Sequence, residues 1–184
     1  LRETDLDEDQ QLYADTIRNS GEALLVIIND VLDFSKIEAG KLELHVEPFD
    51  LERMIHEILR LLRPALQGKD LTLELDYDIF LPHCIIGDPG RLRQILTNLI
   101  GNAIKFTESG SIKVMVVGED TSHPPDDIPL RIVVEDTGIG IPEDKQAHVF
   151  GEFNQVESES NRRFDGTGLG LAISQRLVRL MDGQ

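Results

Sequence analysis

Asp88-Pro89-Gly90-Arg91-Leu92-Arg93-Gln94-Ile95-Leu96-Thr97-Asn98-Leu99-Ile100-Gly101-Asn102-Ala103-Ile104-Lys105 organises the chain. It opens as a helix should, with a carboxylate at the cap and proline at the first helical position, where a missing N–H costs nothing. Leu92, Ile95, Leu96, Leu99, Ile100 and Ala103 follow at helical spacing and make an apolar face. Asn98, Asn102 and Lys105 stand at i, i+4 and i+7, so two carboxamides and an ammonium share one side. A carboxamide oxygen is a hard ligand suited to Mg2+, and lysine is a point cation for phosphate. A polar stripe facing water is the other reading of the same spacing.

Outward from this helix, the pattern alternates between strands and helices. Leu42 to Glu47 alternates apolar and polar and reads as a half-buried strand ended by Pro48. Asp50 is placed to cap a helix carrying Met54, Ile55, Ile58, Leu59 and Leu62, which Pro64 ends or kinks. Leu71 to Leu75 alternates again, and Cys84-Ile85-Ile86 is a short apolar strand. Beyond Lys105, Thr107 to Gly110 reads as a turn, and Ile112, Val114 and Val116 line one face of a strand. His123 to Asp127 reads as a polar hairpin loop, and Ile132-Val133-Val134 leads to Asp136. Regular periodicity fades between Thr137 and Thr167, and about thirty unpatterned residues mark a lid or binding loop. Leu169 to Met181 is helical again.

The N-terminal region predicts one long helix, Asp7 to Glu38. Tyr13, Ile17, Ser20, Leu24, Ile27, Val31 and Phe34 form an a/d-type seam, and Leu25, Ile28 and Leu32 widen it. A stripe this wide fits a bundle better than a two-stranded coil, with an ordinary amphipathic helix as the alternative. Gly40 is placed as its C-terminal stop. The fold class predicted is α+β: a long helix, then an α/β sandwich of a mixed sheet with helices on one face.

Composition limits the functions. Of 184 residues, 34 are acidic and 18 basic, a net charge of −16, which opposes wrapping a nucleic acid. A polyphosphate ligand would need local cations, a metal ion and backbone amides. The one cysteine, Cys84, excludes an intramolecular disulfide. No run approaches a membrane span, and the start at Leu1 has neither Met nor a signal region, so the chain is expected to be a piece of something longer.

Two glycine-rich clusters complete the chemistry. Asp136-Thr137-Gly138-Ile139-Gly140-Ile141-Pro142 follows an apolar strand, so a carboxylate stands where the backbone can approach a flat ligand. Gly166-Thr167-Gly168-Leu169-Gly170-Leu171 opens the last helix, where free amides favour an anion, and Arg162 and Arg163 supply cations just before it. Each cluster alone is equally an ordinary turn. The three in this order, separated by a long loop, are far more specific.

Together they resemble the catalytic and ATP-binding region of sensor histidine kinases, a form common in hybrid kinases, within the GHKL ATPase superfamily that includes MutL and type II topoisomerases. Asn98 to Lys105 resembles the N box of that family. Asp136 to Ile141 and Gly166 to Leu171 resemble its glycine boxes, and Phe150 to Gln155 its F box. Ile17-Arg18-Asn19-Ser20-Gly21 and Asp33 to Gly40 resemble the second dimerisation helix and its exit.

The resemblance implies a Bergerat-type sandwich and two domains. Residues 1–40 would be part of the helical-hairpin dimerisation region, and 41–184 the catalytic ATP-binding domain, truncated at its C-terminal end. Asn102 would hold Mg2+ against the ATP phosphates; Asn98 and Lys105 would complete the catalytic set. Asp136 would accept from the adenine amine, with Gly138, Gly140 and Ile141 admitting the base. Gly166, Thr167, Gly168, Leu169 and Gly170 would shape the lid, Phe150 and Phe153 would anchor it, and Arg163 would reach phosphate.

The implied reaction moves the γ-phosphoryl group of ATP to a histidine. None of the five histidines has the family's acceptor setting, so the acceptor is expected on a helix before Leu1. Hydrolysing relatives carry a glutamate at the position of Asn98 as general base, which an amide cannot replace. A clamp-type ATPase and a non-catalytic ATP-binding dimeric scaffold remain the alternatives. The implied partners are a second copy through the helical region and a response regulator or fused receiver domain. The implied location is cytoplasmic, with a membrane reached only through upstream segments.

Overall fold

A computed structural model describes residues 6–118, 128–146, 148–151 and 168–184. The loop expected at His123 to Asp127 lies outside them. The chain divides into two compact units, Leu1–Leu42 and Glu43–Gln184.

The first unit is built on α1 (Glu8–Glu38), which matches the predicted long helix. Asp7 caps it by a reciprocal pair: its carboxylate accepts from Gln10 N at 2.8 Å, and the Gln10 side chain accepts from Asp7 N at 3.2 Å. The helix stops where Gly40 takes φ +61°. Gly40 N–H donates to Ile37 O and Lys41 N–H to Lys36 O, the Schellman pattern that closes open carbonyls. Ile17, Leu24, Ile27 and Val31 of the predicted seam are all exposed.

The second unit holds β1 (Glu47–Asp50), α2 (Leu51–Leu62), a 3-10 turn (Arg63–Leu66), β2 (Asp70–Tyr77), β3 (Cys84–Gly87) and α3 (Pro89–Phe106). Then come β4 (Ser109–Gly118), β5 (Leu130–Asp136), the short α4 (Glu143–Gln146) and α5 (Gly170–Leu180). Strands β2, β4 and β5 form a mixed sheet, with β2 parallel and β5 antiparallel to the central β4. Strands β1 and β3 pair separately as an antiparallel ribbon.

Register explains the core. Leu75, Val114 and Val134 stand side by side, as do Tyr77, Val116 and Ile132, so alternate residues of three strands share one face. Met54, Ile55 and Ile58 of α2 and Leu96, Ile100 and Ala103 of α3 pack in the same cluster with Ile112, Val114 and Val116. The predicted α/β sandwich is therefore present, with α5 packed on α3.

Two expectations are corrected. The strand expected at Leu42 to Glu47 begins only at Glu47 and runs through Pro48. The reason is local: the His45 N–H goes to the Asp88 carboxylate at 2.9 Å rather than to a ladder neighbour, and Val46 is exposed. A ribbon of two strands tolerates the missing amide of Pro48. The turn expected at Thr107 to Gly110 is shorter, because β4 already starts at Ser109 in parallel register with Asp70. No helix among the described residues is long and apolar enough to cross a membrane.

Candidate functional site

Segments distant in sequence converge on α3. From its third turn, Asn98 Nδ2 donates to Ser174 Oγ of α5 at 2.9 Å, and Asn98 Oδ1 accepts from Asn102 Nδ2 at 3.4 Å. Gly170, the first residue of α5, faces that amide closely. A Cβ there would stand 2.4 Å from Asn98 Oδ1 and 3.0 Å from its Cγ, so glycine is required for room. Gly168 enters with φ +69°, a backbone only glycine adopts readily, and Leu169 is buried.

The C-terminal end of α3 meets β5. Residues 98 and 107 are nine positions apart, roughly 14 Å along the helix. Thr107 is fully buried, and its hydroxyl donates to Asp136 Oδ1 at 3.5 Å. Gly138 N–H donates to the same oxygen at 2.9 Å. Asp136 pairs in register with the buried Ile112, so it continues the helix-covered face of the sheet just where α3 ends. The residue is exposed, and its Oδ2 has no partner among the described residues. A Cβ on Gly138 would lie 2.5 Å from Phe106 O and 2.8 Å from both Asp136 Oδ1 and Thr107 Oγ1. Only a bare backbone fits between strand end and helix end.

Both ends of α3 are pinned. Asp88 Oδ1 accepts from Arg91 N and Oδ2 from His45 N, each at 2.9 Å. Burial pushes the Asp88 carboxyl up. The amides of Arg91, His45 and Gly90 and the Arg91 charge outweigh it and hold the group below the usual carboxylate range. At the other end, Lys69 Nζ donates to Ile104 O at 2.7 Å and Thr107 O at 2.9 Å. A cation there satisfies open carbonyls and opposes the helix dipole.

Lys105, in the last turn of α3, is half-buried, its ammonium 5.1 Å from the Phe106 ring centroid. Ile141 and Phe150 are exposed. Gly140 has φ +66°, and among the described residues no atom comes within 4 Å of where its Cβ would stand. Phe153, Arg162, Arg163, Gly166 and Thr167 lie outside the described residues.

Three contributors escaped the sequence reading: Lys69, Thr107 and Ser174. Ser174 carried a signal, since a hydroxyl among Ala172, Ile173 and Leu177, all buried, demands a partner. Thr107 stands at the start of the expected Thr107 to Gly110 turn, and Lys69 follows Gly68 with no pattern to mark it.

Comparison with known proteins follows the same division. Residues 87–184 match the family model described as histidine kinase-, DNA gyrase B-, and HSP90-like ATPase, and residues 1–40 match the His Kinase A (phospho-acceptor) domain. Signal transduction histidine-protein kinase BarA of Escherichia coli (strain K12) is 47% identical over 180 residues, covering 98% of this chain and 19% of BarA. Sensor histidine kinase GacS of Pseudomonas protegens is 44% identical over 184 residues, covering 100% of this chain and 20% of GacS. The chain thus spans about one fifth of the length of these relatives. Among solved structures, full-length ShkA in complex with AMPPNP superposes with a TM-score of 0.80 at 36% identity, over 99% of this chain and 36% of that one.

Proposed function

The chain belongs to the histidine kinase-, DNA gyrase B- and HSP90-like ATPase family, and we propose that it is the ATP-binding catalytic module of a sensor histidine kinase. It would pass the γ-phosphoryl group of ATP to a histidine of a phospho-acceptor helix outside these 184 residues. The observation that carries this reading is the convergence on one helix: Asn98 with Gly170 and Ser174, and Thr107 with Asp136 and Gly138. Such a transfer depends mainly on positioning and charge stabilisation, so a module that holds the nucleotide and presents it suffices.

The donor set fits. Asp136 Oδ1 is occupied by Gly138 N–H and the Thr107 hydroxyl, which leaves Oδ2 to accept from the exocyclic amine of adenine. Gly138, Gly140 and Ile141 border the base. Asn102 turns its amino end to Asn98, so its Oδ1 is a hard oxygen for Mg2+ carried on the phosphates, and Lys105 reaches those phosphates. Bound Mg2+ supplies neutralisation of phosphate charge. Asn98 is an amide committed to Ser174 and Asn102, and it cannot serve as a general base toward water. That favours a protein acceptor over a clamp-type ATPase.

Residues 1–40 are proposed as the second dimerisation helix and 41–184 as the catalytic domain, with a second copy docking on the exposed α1 seam. A receiver domain is the proposed phosphoryl acceptor after histidine. The test is to mix the chain with a separately purified acceptor domain, Mg2+ and ATP labelled at the γ-phosphate. The expected result is acid-labile label on histidine. Tight nucleotide binding with no labelled histidine would reject the kinase reading in favour of a non-catalytic scaffold.

A further inference from the structure

We propose that Ser174 is a positioning residue that sets which atom of Asn102 faces the metal. The inference rests on the reading of Asn102 as the Mg2+ ligand and extends it to a residue on another helix. Three polar groups run in series from α5 along α3. Ser174 is 5% exposed, and its Oγ accepts from Asn98 Nδ2 at 2.9 Å. Asn98 Oδ1 then accepts from Asn102 Nδ2 at 3.4 Å.

A carboxamide has a donor end and an acceptor end, so orienting one amide orients the next. With the Asn98 donor end directed at Ser174, its oxygen faces Asn102 and takes the amino group. The Asn102 oxygen has no donor among the described residues and is left for a cation. Gly170 holds the intermediate amide in place, since Asn98 Oδ1, Cγ and Nδ2 all crowd the space a Cβ would fill there. Ser174 touches neither metal nor phosphate in this scheme. It acts through Asn98, as outer partners of metal ligands do.

Losing the Ser174 hydroxyl leaves the Asn98 amino group without its buried acceptor and frees that amide to turn, and Asn102 with it. The effect should fall on metal-bearing nucleotide alone, because no part of the series contacts the base pocket at Asp136. The 184-residue chain is titrated calorimetrically with Mg-ATP and, separately, with ADP in chelator. For Ser174→Ala the Mg-ATP Kd rises about tenfold, the lower end for an outer-shell partner, while metal-free ADP binding is unchanged. Ser174→Thr, which keeps the hydroxyl, restores Mg-ATP binding. Ser174→Cys, which keeps the shape but offers only a weak acceptor, shows the selective loss even if the alanine variant does not fold.

Unchanged Mg-ATP affinity in a folded Ser174→Ala or Ser174→Cys protein, or equal losses for both ligands, overturns the positioning role. Asn102→Ala is run in parallel. If it is selective and Ser174→Ala is silent, the metal reading stands and only this proposal falls. If Asn102→Ala spares Mg-ATP, both fall.

Discussion

Asn98 rests its carboxamide against the bare Cα of Gly170, with 2.4 Å between its Oδ1 and the place a Cβ would occupy. The contact joins the polar face of α3 to the start of α5 and leaves no room for even a methyl group.

Gly170→Ala therefore forces the Asn98 amide aside. The overpacking costs about 1–3 kcal/mol of stability. Mg-ATP binding weakens by about tenfold, as for loss of an outer-shell partner. Denaturant unfolding and calorimetry measure the two effects. An unchanged Mg-ATP affinity in the folded variant contradicts the steric account.

Asp136→Asn keeps an oxygen for Gly138 N–H and Thr107 but replaces the open Oδ2 acceptor with an amino group. Losing a charge-assisted bond and creating a donor clash weakens adenine nucleotides roughly 10- to 100-fold. Binding isotherms for ATP and for ADP should fall together, because both carry the same base. Retained affinity would remove Asp136 from the base pocket.

Lys69→Met leaves Ile104 O and Thr107 O without their cation and costs about 1.5–3 kcal/mol, the range for bonds to a charged group. Thr107 also holds Asp136, so ATP affinity falls along with stability, and Lys69→Arg recovers part of both. A Lys69→Met protein with wild-type melting would show that the helix end needs no cap.

Asp88 makes stability depend on acidity. Its carboxyl is held below the ordinary range in the folded state, so its contribution is complete above the unfolded carboxylate pKa of about 3.9. It is lost as pH falls through the lower folded value. Asp88→Ala should cost about 1–2 kcal/mol at neutral pH. The gap from the unsubstituted chain should narrow as the solution is acidified through the lowered folded-state value, checked by denaturant curves across pH. A gap that persisted in acid would point to packing instead.

Much of this was legible in advance because it is local. Asp50, and Asp88 with Pro89, announce their helices by cap chemistry, and Ile112, Val114 and Val116 announce a strand by strict alternation. What stayed hidden depended on partners far along the chain. Leu42 to Val46 alternates like a strand, yet its His45 amide is claimed by Asp88, forty-three residues on. Ser174 reads as one more polar helical residue until α5 is laid on α3 and Asn98 is found opposite. Lys69 acts on carbonyls, and a carbonyl's need for a donor has no side-chain signature.

The pairing of β5 with β4 carries one more implication. Asp136 faces α3 because its strand is in one frame with Ile112; a slip of one residue would turn Asp136 outward and present Glu135 or Thr137 in its place. An extra or missing residue anywhere from Leu130 to Asp136 should therefore abolish adenine binding even in a chain that still builds a sheet. Length changes within β4, from Ile112 to Gly118, act on the same pairing from the other strand and carry the same penalty.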